Sequence, residues 1–429
     1  MRTAEWKRES EFILKVLNSA PEFDREFRIG KEEFSLRQQK VYLALEKLGI
    51  PCGIVYSDEH YNGDVPYLGG NTNISIEPVA GVIGKNGFHI LAGLEGGYVA
   101  EQLAPRSGAK VHKVEMLKLA DEDYPIDAER VEDVIEEAAG GKPDAIALLT
   151  PREVFPVGIY EFLEKYEKSD TEMKLIEEAS LIADVMIEGM LGILKPGMYE
   201  TQVASWGYAI AYELGVEELG FDVMVTSGEA NRTLIGKALN RKIEGGDYVH
   251  IGIGPKRDGL TACERVSVVA VDDPSKITSQ QRFWFDFVEE AFQVGLKAYI
   301  DVAEKALPAK RQEQALVDYF KKREREINKK FGISIDLAKQ KPYTGTHNAG
   351  YTECQEFYGA ITLNSEKPLG NQIVTMLDVA IRGLGNMWND IVIPGLDFVL
   401  VEKTLGKFGK KVRVLNRLPV NVQHLVGIS

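Results

Sequence analysis

Among the residues able to do chemistry, His347 is distinguished by its setting, Gly345-Thr346-His347-Asn348-Ala349-Gly350, whose glycines let the backbone approach a ligand closely. A neutral imidazole near pH 7 shuttles a proton or hydrogen-bonds a substrate, unless it is a structural histidine with its bonds satisfied. Glu264 lies in the run Thr261-Ala262-Cys263-Glu264-Arg265. On a strand, Ala262 and Glu264 share one face and Cys263 takes the other. Glu264 then either enters a cleft or pairs with a Lys or Arg of a neighbouring strand. His250 stands two residues before Gly252 in an apolar run, so both point the same way. A histidine so placed is either a base or a hydrogen-bonded core residue. Beyond His347, Glu353, Gln355, Glu356 and Tyr358 alternate with Cys354 and Phe357. Carboxylates there favour a substrate with a positive nitrogen; the competing reading is a solvated strand or loop.

The rest of the composition narrows the partners. Lys and Arg number 51 against 65 Asp and Glu, a net charge of −14, so the surface repels phosphate backbones and nucleic acid is excluded as a partner. Cys52, Cys263 and Cys354 are three and far apart, which argues against structural zinc and for a reducing compartment. Charges interrupt the N-terminal residues, and no run is long enough to span a bilayer, so no membrane association is expected and the cytoplasm is the expected location. With 429 residues the chain exceeds one ordinary core, and two domains are expected.

Periodicity supplies the elements that position these residues. Helical spacing covers the first 28 residues and 31–48; strand-like runs cover 52–56, 79–83 and 88–93, with Lys85-Asn86-Gly87 as a hairpin turn. A helix over 128–139 and a buried strand over 145–150 complete an α/β unit ending near 166. From 167 onward, helices over 169–190, 201–214, 279–306 and 309–331 alternate with strand pairs, an α+β half with mostly antiparallel strands. No Gly-x-Gly-x-x-Gly turn follows a strand, so a Rossmann site is not supported.

Four phrases occur in a telling order: LKPGMYETQVA at 194–204, EGGDYVHIGIG at 244–254, HNAG at 347–350 and DFVLVEK at 397–403. Together with YLGG at 67–70 and HILAGLEGG at 89–97, they make the chain resemble the creatinase, aminopeptidase P and prolidase superfamily along essentially its whole length. The resemblance implies an α/β domain over 1–166 and an α+β pita-bread domain over 167–429. It also implies a homodimer in which one subunit's N-terminal domain closes over the other's cleft. Metallopeptidases of this superfamily hold two metal ions with two Asp, one His and two Glu. By resemblance the first Asp falls on Gly252 and the second on Ala262 or Cys263; the His is His347. One Glu falls on Leu377, and the last on Lys403, or on Glu402 if the strand slips by one. At most two of five ligands then survive, so neither a dinuclear metal site nor any other cofactor is expected.

Creatinase is the member that works without metal, and its Thr-Ala-Leu-Glu-Arg strand is similar to Thr261–Arg265. The resemblance implies that Glu264 points into the cleft and grips a substrate nitrogen, with Cys263 pointing away. Creatinase's histidine falls on Ile235 and its second glutamate on Leu377; its carboxylate-clamping positions fall on Ile74, Ile76 and Tyr358, so creatine itself is disfavoured. The candidate catalytic residues are Glu264, His347 and His250. Gly252, Ala262, Glu353, Tyr358, Leu377, Ile74 and Ile76 are the candidate contacts for a small-molecule substrate. Three functions are expected to compete: a metal-independent hydrolase of a C–N bond, a non-catalytic binding protein, and an Xaa-Pro dipeptidase with a rebuilt metal site.

Overall fold

The computed structural model describes residues 3–24, 27–58, 63–70, 78–93, 97, 100–101, 104–117, 128–149, 167–233, 236–351, 360–385 and 391–429. Helix α1 (Thr3–Ser19) comes first in the chain. It docks on the C-terminal half, where Ile13 and Val16 are buried among Ile182, Met186 and Met190. The first helix therefore shares its core with residues far beyond 166.

The N-terminal sheet comprises β1 (Cys52–Ser57), β2 (Val79–Gly84), β3 (Gly87–Ala92), β4 (Lys110–Lys113) and β5 (Ile146–Leu149), in the order β4-β3-β2-β1-β5. The central pairs are antiparallel, and β4 and β5 attach in parallel at the two edges. The β2–β3 turn falls at the expected place, with Gly87 at φ +103°. Helices α2 (Lys31–Lys47) and α3 (Asp64–Gly69) bury Phe34, Val41, Leu45, Val65 and Leu68 on one face. Helix α4 (Val131–Ala139) buries Val134, Ile135 and Ala138 on the other.

Helices α5 (Asp170–Ile193) and α6 (Glu200–Glu213) open the C-terminal half. Strands β6 (Met224–Ser227), β7 (Tyr248–Ile253), β8 (Lys256–Arg257), β9 (Leu260–Thr261) and β10 (Glu264–Val269) follow. Then come α7 (Ser279–Lys305), α8 (Lys310–Phe331), β11 (Thr346–Asn348), β12 (Gln372–Arg382), β13 (Phe398–Phe408) and β14 (Lys411–Val414). The main sheet is antiparallel, in the order β11-β12-β13-β10-β7-β6, with β14 on β13. Helices α5 and α7 each begin at a reciprocal capping box, Ser169 with Glu172 and Thr278 with Gln281, which satisfies backbone donors at both starts. One sheet face packs on α5 and α6 through Ile251, Ile253, Val266 and Val268, and on α7 and α8 through Leu377, Val379 and Val401. No described helix is long and apolar enough to cross a membrane.

Polar contacts join the halves, among them those of Arg37 and Asp258. Arg37 on α2 donates from Nη1 to the Tyr351 hydroxyl at 2.7 Å. Arg106 Nη1 reaches both oxygens of Asp258 at 2.6 and 2.5 Å, and the Ile29 amide donates to the same carboxylate at 2.9 Å.

Helix α4 and β2 approach closely enough that a β-carbon at Gly84 would lie 2.4 Å from the Ala138 carbonyl oxygen. Backbone cannot give way as a side chain can. Gly84→Ala is expected to destabilise the N-terminal unit by about 1–3 kcal/mol. An unshifted urea midpoint would refute this packing.

Candidate active site

The sheet face turned away from α5–α8 carries a row of charged residues directly opposite one another. Gly252 on β7 faces Arg265 on β10, Arg265 faces Glu402 on β13, and Glu402 faces Asp378 on β12. Residues in register on adjacent strands point to the same side, so three ionisable side chains meet. His347 on β11 joins the row from the edge. All four side chains are buried, and His347, at 8% exposure, is the most accessible.

Arg265 is the hub. Its Nη1 donates to Asp378 Oδ2 at 2.9 Å and lies 3.5 Å from Glu402 Oε2; its Nε donates to His250 Nε2 at 3.2 Å. The Tyr343 hydroxyl donates to Asp378 Oδ1 at 3.0 Å, and His347 Nε2 lies 3.2 Å from Glu402 Oε1. Burial opposes the charge on Arg265, yet Tyr343, Asp378 and Glu402 around it hold the guanidinium pKa well above its ordinary value. The two carboxylates diverge. Burial and the neighbouring Glu402 push Asp378 up to about 7 against the pull of Arg265. Burial also acts on Glu402, but its bond with His347 and the charge of Arg265 carry it below the usual carboxylate range. Asp378 therefore titrates near neutrality while Glu402 is already ionised, a pair with separate acid and base characters.

The expected residues fall differently from the sequence reading. Glu264 is fully buried on the helix side, ion-paired with Lys403, and its Oε2 accepts from Asn416 Nδ2 at 3.3 Å. Burial raises its pKa, the Lys403 ammonium opposes that rise, and Asp184 of α5 adds to it. It does not enter the cleft. The reason is the pleat: with Arg265 facing inward, its neighbour Glu264 faces outward. Cys263 correspondingly lies on the side of Arg265 and Glu402 instead of turning away. Ala262 is buried in the apolar core and Leu377 packs with the α7–α8 layer, so neither lines the polar row.

His250 does reach the row, but its Nε2 lone pair is taken by Arg265, and burial followed by Arg265 lowers its pKa well below 6.5. It is a neutral acceptor there, and its lone pair is not free for a base. Little space is left beside Gly252: a β-carbon there would meet Arg265 Cγ at 3.1 Å, His250 Nε2 at 3.3 Å and Met224 Sδ at 3.3 Å. Ile74, Ile76, Ile235, Glu353, Cys354 and Tyr358 lie outside the described residues.

Sequence reasoning missed Arg265, Asp378 and Tyr343, and assigned Glu402 only as a slipped alternative. A signal was present: Asp378 and Glu402 each stand one residue from the assigned position, and the same one-step shift brings both to one face. Three ligand-type positions consequently survive, not two. Ligand atoms of His347, Asp378 and Glu402 lie within 4.8 Å of one another, a donor set suited to one ion. Among the described residues no further His, Cys, Asp or Glu joins this set, and Arg265 already answers the two carboxylates.

The profile of Metallopeptidase family M24 matches residues 174–358. An uncharacterized peptidase, YqhT of Bacillus subtilis (strain 168), is 26% identical over 217 residues, 48% of this chain and 60% of that protein. An Xaa-Pro dipeptidase of Pyrococcus horikoshii is 33% identical over 87 residues, 20% of this chain and 25% of that protein. The matched segments thus span only part of these relatives. Among solved structures, the prolidase from Pyrococcus horikoshii OT3 superposes with a TM-score of 0.62 at 16% identity, covering 90% of this chain and 99% of that one. The X-Pro aminopeptidase from Thermotoga maritima MSB8 does so with a TM-score of 0.67 at 17% identity, covering 90% and 98%.

Glu264 and Lys403 make a structural pair on the helix side. Glu264→Gln is expected to destabilise the protein by about 3–5 kcal/mol by stranding a buried ammonium, and a Glu264→Leu/Lys403→Met double variant to recover most of that loss. Chemical denaturation of the three proteins checks it; a double variant less stable than the single one would place Glu264 in another role.

Proposed function

From the premise that the chain carries an M24 domain in the pita-bread fold shared by prolidases and aminopeptidase P, we propose that it hydrolyses a C–N bond of a small amide or amino-acid-derived compound. In this reading the Arg265 guanidinium serves as the cation between Asp378 and Glu402. The observation that carries it is the position of Nη1, 2.9 Å from one carboxylate and 3.5 Å from the other.

The chemistry follows from the proton positions. Ionised Glu402 accepts a proton from water as the water oxygen bonds to the substrate carbon, while His347, whose Nδ1 faces the Asn348 carbonyl oxygen at 3.1 Å, holds that carboxylate in place. The fixed positive charge of Arg265 stabilises the negative charge that develops on the substrate oxygen. Asp378, titrating near neutrality and steadied by Tyr343, gives its proton to the departing nitrogen as the C–N bond breaks. The phenol of Tyr343 stays protonated, since burial and then Asp378 raise its pKa well above 10.

A second reading rests on the clustering of His347, Asp378 and Glu402. One divalent ion held by these three would supply Lewis-acid polarisation and an activated water, provided Arg265 swings aside. The named Xaa-Pro dipeptidase relatives favour this version.

A panel of amino-acid amides, Xaa-Pro dipeptides and guanidino compounds tests both. Turnover is expected to survive EDTA and to fall as pH rises through about 7, where Asp378 loses its proton. Asp378→Asn is expected to lower kcat about 100-fold or more and to remove that alkaline limb. Activity abolished by EDTA, restored by Mn, Co or Zn, and accompanied by tighter metal binding in Arg265→Met would establish the second reading in place of the first.

A further inference from the structure

A second cluster of ligand-type residues sits far from the cleft sheet, in the N-terminal unit. His89 on β3 and His112 on β4 occupy neighbouring parallel strands, His89 opposite Lys110, so that His112 lies two residues on and shares its face. Both are buried beneath α4, from which Glu137 projects. His89 Nδ1 and His112 Nε2 are 2.9 Å apart, with the rings inclined by 17°. His112 Nδ1 lies 2.9 Å from Glu129 Oε2, just before α4.

Counting hydrogens shows that the pair is incomplete. An ionised carboxylate only accepts, so His112 carries its hydrogen on Nδ1 and presents a bare lone pair at Nε2. If the hydrogen of neutral His89 sits on Nδ1, it satisfies His112 but leaves His89 Nε2 a buried lone pair, and that atom has no hydrogen-bond partner. If it sits on Nε2, two lone pairs face each other across the 2.9 Å gap. Either distribution leaves buried acceptor capacity, which a cation held between the two rings would satisfy. Burial, and then the neighbouring His112, lower the His89 pKa, so a second proton on the His89 ring is disfavoured.

We propose that His89, His112 and Glu137 bind one divalent transition-metal ion of the zinc type, with Glu129 holding His112 in its ligand tautomer. Their ligand atoms lie within 4.8 Å of one another. Two nitrogens about 2.0–2.1 Å from a tetrahedral ion stand roughly 3.3 Å apart, so the rings separate by only a few tenths of an ångström on binding. A carboxylate on the outer nitrogen of a ligating histidine is the usual orienting partner. Glu137 is engaged by Lys110 at 2.7 Å, but that pair is about half exposed and exchanges readily. The site is independent of the hydrolase reading.

Full-length protein stripped by chelator and titrated with cobalt(II) is expected to show the visible absorption of a tetrahedral ion with nitrogen and oxygen ligands. The signal is expected to persist in His347→Ala, which excludes an ion in the cleft, and to vanish in His112→Ala. Two milder variants keep the test independent of folding. Glu129→Gln is expected to weaken binding about 10- to 100-fold, and Lys110→Ala to tighten it about two- to fivefold by freeing Glu137. Absence of a cobalt spectrum at millimolar metal, a spectrum unchanged in folded His112→Ala, or weaker binding in Lys110→Ala would each overturn the assignment.

Discussion

A guanidinium buried at 3% exposure between two carboxylates on adjacent strands constrains the whole C-terminal sheet. An isolated charge so placed is expensive, and removal of one partner from such a set strands the others. Arg265 reaches Asp378, Glu402 and His250 only in the observed register of β7, β10, β13 and β12. Slipping any strand by one residue would turn a charge into the apolar layer against α5–α8. Electrostatics and hydrophobic burial thus select the same pairing.

The two faces of this sheet divide their labour by the pleat. Toward the helices lie Ile251, Val266, Val379 and Val401, interrupted by the Glu264–Lys403 pair, which neutralises itself. Toward the cleft lie Arg265, Glu402, Asp378 and His250, whose bonds run across strands. A polar row held on four rigid strands is preorganised: its members do not reorient when charge develops, which makes such a row suited to catalysis. Acid and base differ because Asp378 shares its environment with a second carboxylate, whereas Glu402 gains the imidazole as well.

The N-terminal unit is tied to this cleft at defined points. Arg37 bridges Tyr351, close in sequence to the His347 turn, and Glu172 at the start of α5. Asp258, held at φ +48° in the β8–β9 hairpin, takes Arg106 and the Ile29 amide. These contacts are buried or half-buried and charge-assisted, so they fix the position of the unit more firmly than an exposed pair of the same chemistry.

Much of the architecture was legible along the chain because it rests on local rules. The turn at Gly87 marked the hairpin, and helical spacing marked 279–306 and 309–331 within a residue or two of α7 and α8. The order of the elements followed from motifs in sequence. The direction of Glu264, Arg265, Asp378 and Glu402 did not, because a strand's side chains alternate and an offset of one residue exchanges the faces. Local composition is the same in either register. Only pairing across four strands distant in sequence, from Gly252 to Glu402, decided which charges meet, since the cost of burying a charge is set by partners the local chain does not contain.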